Sequence, residues 1–483
     1  AISAGEALAA TAGTRRSRRS GNGPGRRAAR GASGAAAAPP GGTARAGPRL
    51  PGGGGGPSPR SRGFGRDLPT ASTRNDNKFY SGRMISTPTA RDLTLAQILE
   101  RQQQAFLADP QPGAKIRRDR IQRLKELVLD NAAELTGAIR EDYGSRPETF
   151  STITDIASSI PDLDHQRGNL KKWMKPTRPS RLMDAAGFTQ QVRHDPKGVV
   201  GIIGPWNFPL YLTIVPAGSA LGAGNRVMIR PSSVTANTTD VLARRAPEYF
   251  AVDELAIAGP EHGRGSDFSA LAFDHLFFTG SPGVGKSVAK DAAENLTPIT
   301  LELGGKNPVV VDSSADLERA ARSIASSRMV NGGQVCMCPD YVFVPEAELE
   351  RFCETVLDQW RTALPAIVGN PEYTATINTS NYERIVGLID DAVAKGAVKR
   401  DAAPAGERLP DPVVRKIAPT LLPGVTPEME IDSDEVFGPV LTVFPYSSLD
   451  QAIRYINDRP SPLVLYWYGE KNERFETVAD RTR

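Results

Sequence analysis

The chain has 483 residues, of which 39% are hydrophobic, enough to bury a large core in two or three domains. Lys and Arg number 59 against 55 Asp and Glu, but this positive excess is confined to one end. Because residues 1–66 contribute +11 to a total of +4, residues 67–483 carry −7, which argues against a nucleic-acid-binding body.

Composition argues against further classes of protein. No run of about 18 apolar residues occurs, so we expect no membrane-spanning helix. The three cysteines, Cys336, Cys338 and Cys353, are too few for a disulfide framework and favour a reducing compartment, for which we expect the cytoplasm. The Cys336–Cys338 pair lacks a second pair at zinc spacing, so we also expect no metal site.

Residues 1–66 are rich in Gly, Ala, Arg, Pro and Ser and poor in large apolar side chains. Such a segment cannot bury enough surface to fold, so we predict a disordered basic tail over residues 1–90. The composition leaves open an Arg-rich organelle-targeting peptide, an RNA-binding arm, or translated sequence upstream of the natural start.

Two long amphipathic helices are predicted next. The segments "LTLAQILERQQQAFL" (93–107) and "KIRRDRIQRLKELVLDNAAELTGAIREDYG" (115–144) repeat apolar residues at helical spacing with charges between them. We expect the second helix to end near Gly144. The segment "FTQQVRHDP" (188–196) then predicts a strand that leads into a turn at residues 196–198.

From residue 199 the predicted elements alternate between short buried strands and helices. The strands are predicted at 199–203, 226–230, 272–278 and 300–303, and the helices at 213–225 and 287–295. This alternation is typical of an α/β fold with a parallel, doubly wound sheet.

Three segments combine a reactive side chain with glycines that let the backbone approach a ligand: "GPWNFP" (204–209), "LELGGK" (301–306) and "NGGQVC" (331–336). Oxidation of an aldehyde through a covalent intermediate needs a thiolate, donors for the developing oxyanion and a base. Cys336, Asn207 and Glu302 supply one candidate for each role. Taken singly, each also has an ordinary interpretation as a packed thiol, a turn residue or a surface acid.

A different class is indicated by residues 280–287, "GSPGVGKS", which match the phosphate loop G-x-x-x-x-G-K-[ST] of nucleotide triphosphatases. The segment "VVVD" (309–312) resembles the strand that ends in a magnesium-binding Asp. Both a triphosphatase loop and a dinucleotide-binding turn bind phosphate. The rest of the chain must therefore decide between these two interpretations.

Across residues 93–483 the chain resembles the aldehyde dehydrogenase superfamily, most closely its coniferyl aldehyde dehydrogenase branch among the class-3-like enzymes. The resemblance rests on the order and intervals of "GVVGIIGPWNFPLYLTIVPAGSALGAGNRVMIRPS", "FSALAFDHLFFTGSPGVGKSVAKDAAENLTPITLELGGKNPVVV", "NGGQVCMCPDYVFVP" and "DEVFGPVL". It implies that the phosphate-loop match is a coincidence, because Lys286 and Ser287 correspond to variable positions inside a helix.

The same resemblance implies a domain organisation. Residues 91–176 and 198–302 would form a doubly wound, Rossmann-like NAD(P)-binding domain, and residues 303–483 an α/β catalytic domain. A small hairpin at 177–197 would bridge subunits. The chain stops after "EKNERFETVADRTR", where the family continues to a last oligomerisation strand, so we expect an unpaired sheet edge and a homodimer only where that strand is present.

The implied activity is NAD- or NADP-dependent oxidation of an aldehyde, such as coniferyl or another aromatic aldehyde, to its acid. The resemblance assigns Cys336 as nucleophile, Asn207 and the Cys336 N–H as oxyanion donors, and Glu302 as general base. Phe208 and Tyr211 are candidates for an aromatic substrate pocket. The implied cofactor-binding residues are Pro205, Trp206, Arg230, Ser233, Gly280, Ser281, Gly285, Leu303, Gly304, Glu435 and Phe437.

Two departures from the family pattern bear on function. Arg230 and Ser233 stand where the family usually has the Lys and Glu of K-P-S-E, so we expect NADP to be accepted at least as readily as in typical relatives. Cys338 stands where a small residue is usual. It is interpreted either as a packed, unreactive thiol or as a partner for a reversible disulfide with Cys336. An inactive, truncated binding protein is the alternative to an active enzyme.

Overall fold

The computed structural model describes residues 88–179 and 187–483. The predicted tail therefore lies outside the described residues as far as residue 87, and so do residues 180–186 of the predicted hairpin. The described fold begins with a short 3₁₀ turn, Ala90–Asp92. Both the backbone N–H and the hydroxyl of Thr89 donate to the Asp92 carboxylate, at 2.8 Å, which fixes the start of this turn.

Helices account for much of the described chain. Those of nine or more residues are Leu95–Ala108, Ala114–Asp130, Ala132–Tyr143, Ser159–Trp173, Tyr211–Ala223, Ala236–Tyr249, Pro282–Ala293, Leu317–Met329, Leu349–Ala363, Thr379–Ala394, Leu449–Asn457 and Glu473–Arg481. Shorter helical turns are Glu148–Ser151, the π-helical Thr152–Ala157, Pro260–His262, Gly265–Ser269, Val330–Gly333, Glu346–Glu348 and Glu430–Ser433.

In the described part of the chain, five parallel strands form the first sheet, in the spatial order β3-β2-β1-β4-β5. They are β1 (Val199–Ile203), β2 (Arg226–Arg230), β3 (Leu255–Ile257), β4 (His275–Gly280) and β5 (Ile299–Leu303). The strand order reverses between β1 and β4. The carboxyl ends of these two strands therefore border a crevice of the kind in which open α/β sheets bind ligands.

Both faces of this sheet are covered by helices. Val200 and Ile202 of β1 belong to a core cluster shared with the helices of residues 114–249, whereas Val199 belongs to the cluster on the other face. That second cluster also contains buried side chains of Leu95–Ala108 and Pro282–Ala293. Since both faces are buried, the strands are nearly continuous apolar runs, as expected for a doubly wound sheet.

A second sheet, of six described strands, has the order β11-β6-β7-β10-β9-β8 and is parallel except for the β8–β9 pair. Its strands are β6 (Pro308–Val311), β7 (Tyr341–Pro345), β8 (Arg400–Asp401), β9 (Thr420–Pro423), β10 (Val440–Tyr446) and β11 (Tyr466–Tyr468). Only four residues separate β5 of the first sheet from β6 of the second. The two sheets therefore meet at a short connection that carries Gly304, Gly305 and Lys306.

The predicted strands of the first sheet are present, but two other local predictions are wrong. The single helix predicted over residues 115–144 is broken at Asn131, whose side-chain amide donates to the Leu127 carbonyl at 2.9 Å. A local side-chain bond of this kind competes with the helical backbone for its acceptor. Among the described residues 187–196 no strand forms, and Val192 instead makes one isolated antiparallel bridge with Thr177.

Within the described ranges, none of the helices has both the length and the apolar composition that crossing a bilayer requires.

Candidate functional site

The carboxyl ends of the first sheet bring together residues that are far apart in the sequence. The segment 204–209 follows β1, Ser233 follows β2, Ser281 follows β4, and Gly304 follows β5. Because all five strands are parallel, these segments lie along one edge of the sheet. This edge holds the segments in which the sequence predicts cofactor contacts, apart from those of residues 435–437.

The glycine-rich turn after β4 is not a phosphate loop. Its helix begins at Pro282, and Ser281 is the N-cap, whose hydroxyl accepts the Val284 N–H at 3.4 Å. Lys286 and Ser287 therefore lie inside the helix, with exposed side chains, rather than at its start. Gly285 packs against Leu303 of β5, where an added Cβ would come within 2.7 Å of that side chain.

The second half of the triphosphatase interpretation is also wrong. The segment at 309–312 contributes strand β6 to the second sheet, away from the β4 turn. Asp312, the proposed magnesium ligand, accepts a hydrogen bond from Arg474 Nε at 2.7 Å and another from the Ser314 hydroxyl at 2.6 Å. Its carboxylate is thus paired with side chains next to the second sheet.

Residues 435–437 lie against the crevice. The rings of Trp206 and Phe437 meet edge to face, with centroids 5.2 Å apart. A Cβ at Gly304 would collide with the Glu435 carboxylate in its present position, so glycine leaves room for this side chain at the end of β5. Arg384 holds this segment in place, since its guanidinium donates to the Glu435 carbonyl at 3.2 Å and to the Val436 carbonyl at 2.7 Å.

The loop before Cys336 has an unusual backbone. Asn331, Gly332 and Gly333 have φ angles of 53°, 62° and 78°, in the left-handed region that favours glycine. A Cβ at Gly333 would collide with the Gly438 carbonyl, so the loop packs directly on the chain that follows Phe437. The close approach fixes the position of the cysteine loop relative to residues 435–438.

Two buried amide side chains hold this loop. The Gln334 amide donates to the carbonyls of Asn331, at 2.9 Å, and Ala375, at 3.0 Å. The Asn307 amide donates to the Cys336 carbonyl at 2.8 Å and to the Cys338 carbonyl at 3.1 Å. Sequence reasoning missed both residues, although Gln334 lies within "NGGQVC" and Asn307 directly follows "LELGGK".

The Cys336 thiol is partly buried, and its pKa is raised to about 11, with burial as the largest cause. The negative charge of Glu435 is the second cause, and that of Glu302 contributes a smaller effect in the same direction. The backbone N–H groups of Cys336 and Met337 act in the opposite direction, because they stabilise the thiolate. The structure thus brings the predicted nucleophile and both predicted acids close enough to interact.

Both acids titrate above their usual range. Burial raises the pKa of Glu302, and burial together with the charge of Asp340 raises the pKa of Glu435 to about 7. For Glu435, the Gly305 N–H and the cations Arg328 and Lys306 partly offset this rise. A raised pKa makes a carboxylate a better proton acceptor near neutral pH.

Asn207 connects the end of β1 to the cysteine loop. Its side chain is 4% exposed, and its Nδ2 donates to the Gln334 carbonyl at 3.2 Å. Since an amide nitrogen carries two hydrogens, this bond leaves a second N–H for another acceptor. Cys336, Glu302 and Asn207, which belong to three separate segments, are therefore gathered at one site.

The remaining candidates have other contacts. The Arg230 guanidinium is buried and donates to the carbonyls of Ala258, at 3.2 Å, Gly263, at 2.6 Å, and Gly259, so most of its donors are already used. Ser233 is exposed. Tyr211, a predicted residue of the aromatic substrate pocket, donates its hydroxyl hydrogen to Asp162 at 2.8 Å.

Phe208 lies in an aromatic group. Its ring centroid is 6.4 Å from that of Phe150, and the Arg146 guanidinium lies 5.5 Å from its centre. Because Phe208 directly follows Asn207, this aromatic surface begins next to the gathered polar residues. Gly280 ends β4 beside Leu303, which ends β5, and Pro205 lies in the segment after β1; all three are partly buried at the same edge.

Comparisons with known proteins agree with this geometry. The sequence pattern of the aldehyde dehydrogenase family matches residues 77–483. A probable coniferyl aldehyde dehydrogenase of Caulobacter vibrioides is 42% identical over 399 residues, which cover 81% of this chain and 82% of that protein. A coniferyl aldehyde dehydrogenase of Pseudomonas sp. is 38% identical over 388 residues, 80% of each chain.

Solved structures show the same similarity. The substrate-bound state of Staphylococcus aureus AldH has a TM-score of 0.74 and 30% identity, and the match covers 81% of this chain and 84% of that one. An NAD-dependent aldehyde dehydrogenase from Sinorhizobium meliloti has a TM-score of 0.72 and 27% identity, with 82% and 78% covered. The predicted α/β fold and the family resemblance are thereby confirmed. The chain belongs to the aldehyde dehydrogenase family.

Proposed function

We propose that this protein oxidises an aldehyde to its carboxylic acid with NAD or NADP, through a covalent intermediate on Cys336. The observation that carries this proposal is the convergence of a thiol, an amide donor and an acid, Cys336, Asn207 and Glu302, from three segments of the chain. The names of the relatives support aldehyde oxidation in general. The convergence of these three residues supports a covalent mechanism on Cys336 in particular.

In the first step the Cys336 sulfur bonds to the aldehyde carbon, and the carbonyl electron pair moves onto the oxygen. The second N–H of Asn207 and the backbone N–H of Cys336 stabilise that oxyanion. The thiol proton has an acceptor in Glu302, whose pKa is raised by burial. The nicotinamide ring, when bound, supplies the oxidant, since it accepts the hydride that leaves the tetrahedral carbon.

Release of the product needs water and the same acid. Glu302 accepts a proton from water, the water oxygen bonds to the thioester carbon, and the carbon–sulfur bond breaks. The carboxylic acid leaves, and Cys336 is restored as a thiolate. One base can serve both proton transfers, because it returns its first proton to solvent before the second.

The crevice fits a dinucleotide. The exposed first turn of the helix Pro282–Ala293 presents the positive end of the helix dipole, which suits a pyrophosphate. Gly304 lets Glu435 lie at the end of β5, where its carboxylate can accept ribose hydroxyl groups. Trp206 and Phe437, in edge contact, provide apolar walls for the nicotinamide.

Coniferyl aldehyde or another aromatic aldehyde is the proposed substrate class. The aromatic surface of Phe150 and Phe208 lies beside Asn207 and suits a planar, apolar ring. The coniferyl aldehyde dehydrogenases among the relatives support the same class.

The test is the appearance of reduced nicotinamide when the purified protein meets coniferyl aldehyde with NAD and, separately, with NADP. We expect turnover that a Cys336→Ala variant loses and a Cys353→Ala variant retains, because Cys353 is buried in the core of the second sheet's domain. Absence of turnover with both cofactors, or turnover that survives in Cys336→Ala, would contradict the proposal.

We assign acceptance of NADP to Ser233. A carboxylate at this position would accept the ribose hydroxyl and repel a 2′-phosphate, and the exposed serine does neither. Arg230 does not serve as the phosphate-binding fork, because its guanidinium is bonded to backbone carbonyls. A Ser233→Glu variant should raise the ratio of KM for NADP to KM for NAD by about tenfold or more, because the new carboxylate repels the 2′-phosphate of NADP and accepts the ribose hydroxyl of NAD. Equal changes for the two cofactors would refute the assignment.

A further inference from the structure

A buried ion pair lies directly behind the Asn207 segment. Arg146 and Asp155 are joined by a 2.7 Å contact between Nη2 and Oδ2, and the side chains of both are 0% exposed. The pair joins two neighbouring segments of the chain. Arg146 follows the helix Ala132–Tyr143, and Asp155 belongs to the π-helical turn Thr152–Ala157. Such π-turns are rare and often occur at functional sites.

Each member of the pair holds the backbone on one side of the Asn207 segment. Arg146 Nη1 donates to the Asn207 carbonyl at 2.8 Å. Asp155 Oδ1 accepts the N–H groups of Leu210, at 3.1 Å, and Tyr211, at 3.4 Å, which are the first N–H groups of the helix that follows. The guanidinium fork and the carboxylate together fix residues 207–211 at both ends.

Other contacts hold the same carbonyl and the same guanidinium. Asn331 Nδ2 donates to the Asn207 carbonyl at 3.3 Å, and the Tyr143 hydroxyl does so at 3.4 Å. The Arg146 guanidinium is also 4.9 Å from the centre of the Tyr143 ring. With the carbonyl held by three donors, rotation of the Asn207 peptide, and with it the direction of the Asn207 amide, is restricted.

We infer that the Arg146–Asp155 pair is a positioning device that aims the Asn207 amide at the oxyanion. This inference rests on the proposed function for its link to aldehydes, but the geometry of the clamp does not depend on the substrate. Arg146 and Asp155 act through Asn207 and do not themselves contact the reacting atoms.

The first test measures the clamp itself. Arg146→Lys keeps a positive charge beside Asp155 but loses the planar fork that serves two acceptors at once. We expect faster hydrogen–deuterium exchange at Leu210 and Tyr211 in Arg146→Lys and in Asp155→Asn. The matched control is Arg120→Lys, which alters another buried arginine, paired with Glu254 at 3.0 Å next to the amino end of β3. Unchanged exchange at residues 210–211 in both variants would overturn the inference.

The second test asks whether the pair acts through Asn207. Hydrolysis of p-nitrophenyl acetate without nicotinamide is the readout, because attack of Cys336 on this ester builds the same oxyanion, expels p-nitrophenolate and needs no oxidant. We expect kcat to fall about 100-fold in Asn207→Ala and about tenfold in Arg146→Lys, by analogy with lost oxyanion donors. The double variant should be no slower than Asn207→Ala alone, since the two changes remove one function.

The outcomes separate this inference from the proposed function. Independent, multiplying effects of the two substitutions would make Arg146 a merely structural residue and overturn it. Ester hydrolysis with the expected non-additive pattern, but without oxidation of aldehydes, would support the clamp and contradict the proposed oxidation. If the protein hydrolyses no ester, the exchange experiment decides, because it needs no catalysis.

Discussion

In the proposed mechanism Cys336 is the nucleophile, and its thiol has a pKa of about 11, a value that leaves little thiolate at neutral pH. Burial is the first cause, and the second is the negative charge of Glu435. The proposed mechanism therefore needs a proton acceptor next to the sulfur, and the raised pKa of Glu302 suits that acid to the task. At the residue scale, the proposed chemistry depends on Cys336, Glu302 and Glu435.

We expect Glu435→Gln to lower the Cys336 pKa and to speed its alkylation by iodoacetamide several-fold at pH 8, because one repelling charge is removed. In the wild-type protein the rate should rise about tenfold for each pH unit and show no plateau below pH 10. Mass spectrometry of the labelled peptide measures the alkylation rate. The control is Asp434→Asn, which removes a neighbouring exposed acid and should leave the rate unchanged. Slower alkylation in Glu435→Gln would show that the two groups do not interact as described.

At the scale of elements, the loop of residues 331–336 depends on glycine in two ways. Gly333 has a left-handed φ of 78°, and its missing Cβ lets the Gly438 carbonyl approach. Gly396, which follows the helix Thr379–Ala394, has a φ of 105° but open space around the Cβ position. An alanine at Gly396 would therefore add only backbone strain, whereas an alanine at Gly333 would add both strain and a collision.

Gly396→Ala should lower the free energy of unfolding by about 1 kcal/mol, the cost of a left-handed alanine. Gly333→Ala should cost at least about 2 kcal/mol more, since a collision with backbone carbonyl adds to the strain. Urea denaturation measures both values. The alkylation rate of Cys336 should change in Gly333→Ala only, and equal stability losses in the two variants would refute the collision.

For the whole molecule, the pH dependence of stability should reflect His275, which opens β4 and is 2% exposed. Burial, followed by the charge of Lys197, lowers its pKa to about 4. The unfolded chain binds a proton near pH 6.5, whereas the folded chain does so only near pH 4. The stability that this neutral histidine contributes is therefore present above pH 6.5 and is lost as the pH falls to about 4.

The fall of the His275 pKa from 6.5 to about 4 corresponds to a loss of about 3 kcal/mol in the free energy of unfolding at low pH. In His275→Gln, the decrease in free energy of unfolding between pH 7 and pH 4 should be smaller than in the wild-type protein by about that amount. His165→Gln changes an exposed histidine and should leave the decrease unchanged. The proposed effect would be excluded if all three proteins lost stability in parallel.

The sequence by itself determined the family, the α/β fold, the strands of the first sheet and the three segments that carry Cys336, Glu302 and Asn207. These features are local, because buried strands are apolar runs and turns that approach a ligand need glycine. The same local patterns also matched a phosphate loop. The family resemblance already favoured the dinucleotide-binding turn, and the helix start at Pro282 and the place of residues 309–312 in the second sheet agree with it.

Tertiary structure decided what no local pattern encodes. A buried Arg146 and Asp155 cannot be distinguished in the sequence from a surface pair, since their burial depends on segments more than 50 residues away. The raised pKa of Cys336 likewise comes first from burial by distant segments and second from the charge of Glu435, which lies 99 positions further along the chain. Long-range packing sets burial and charge proximity, and these two quantities determine how a site's residues titrate and where they point.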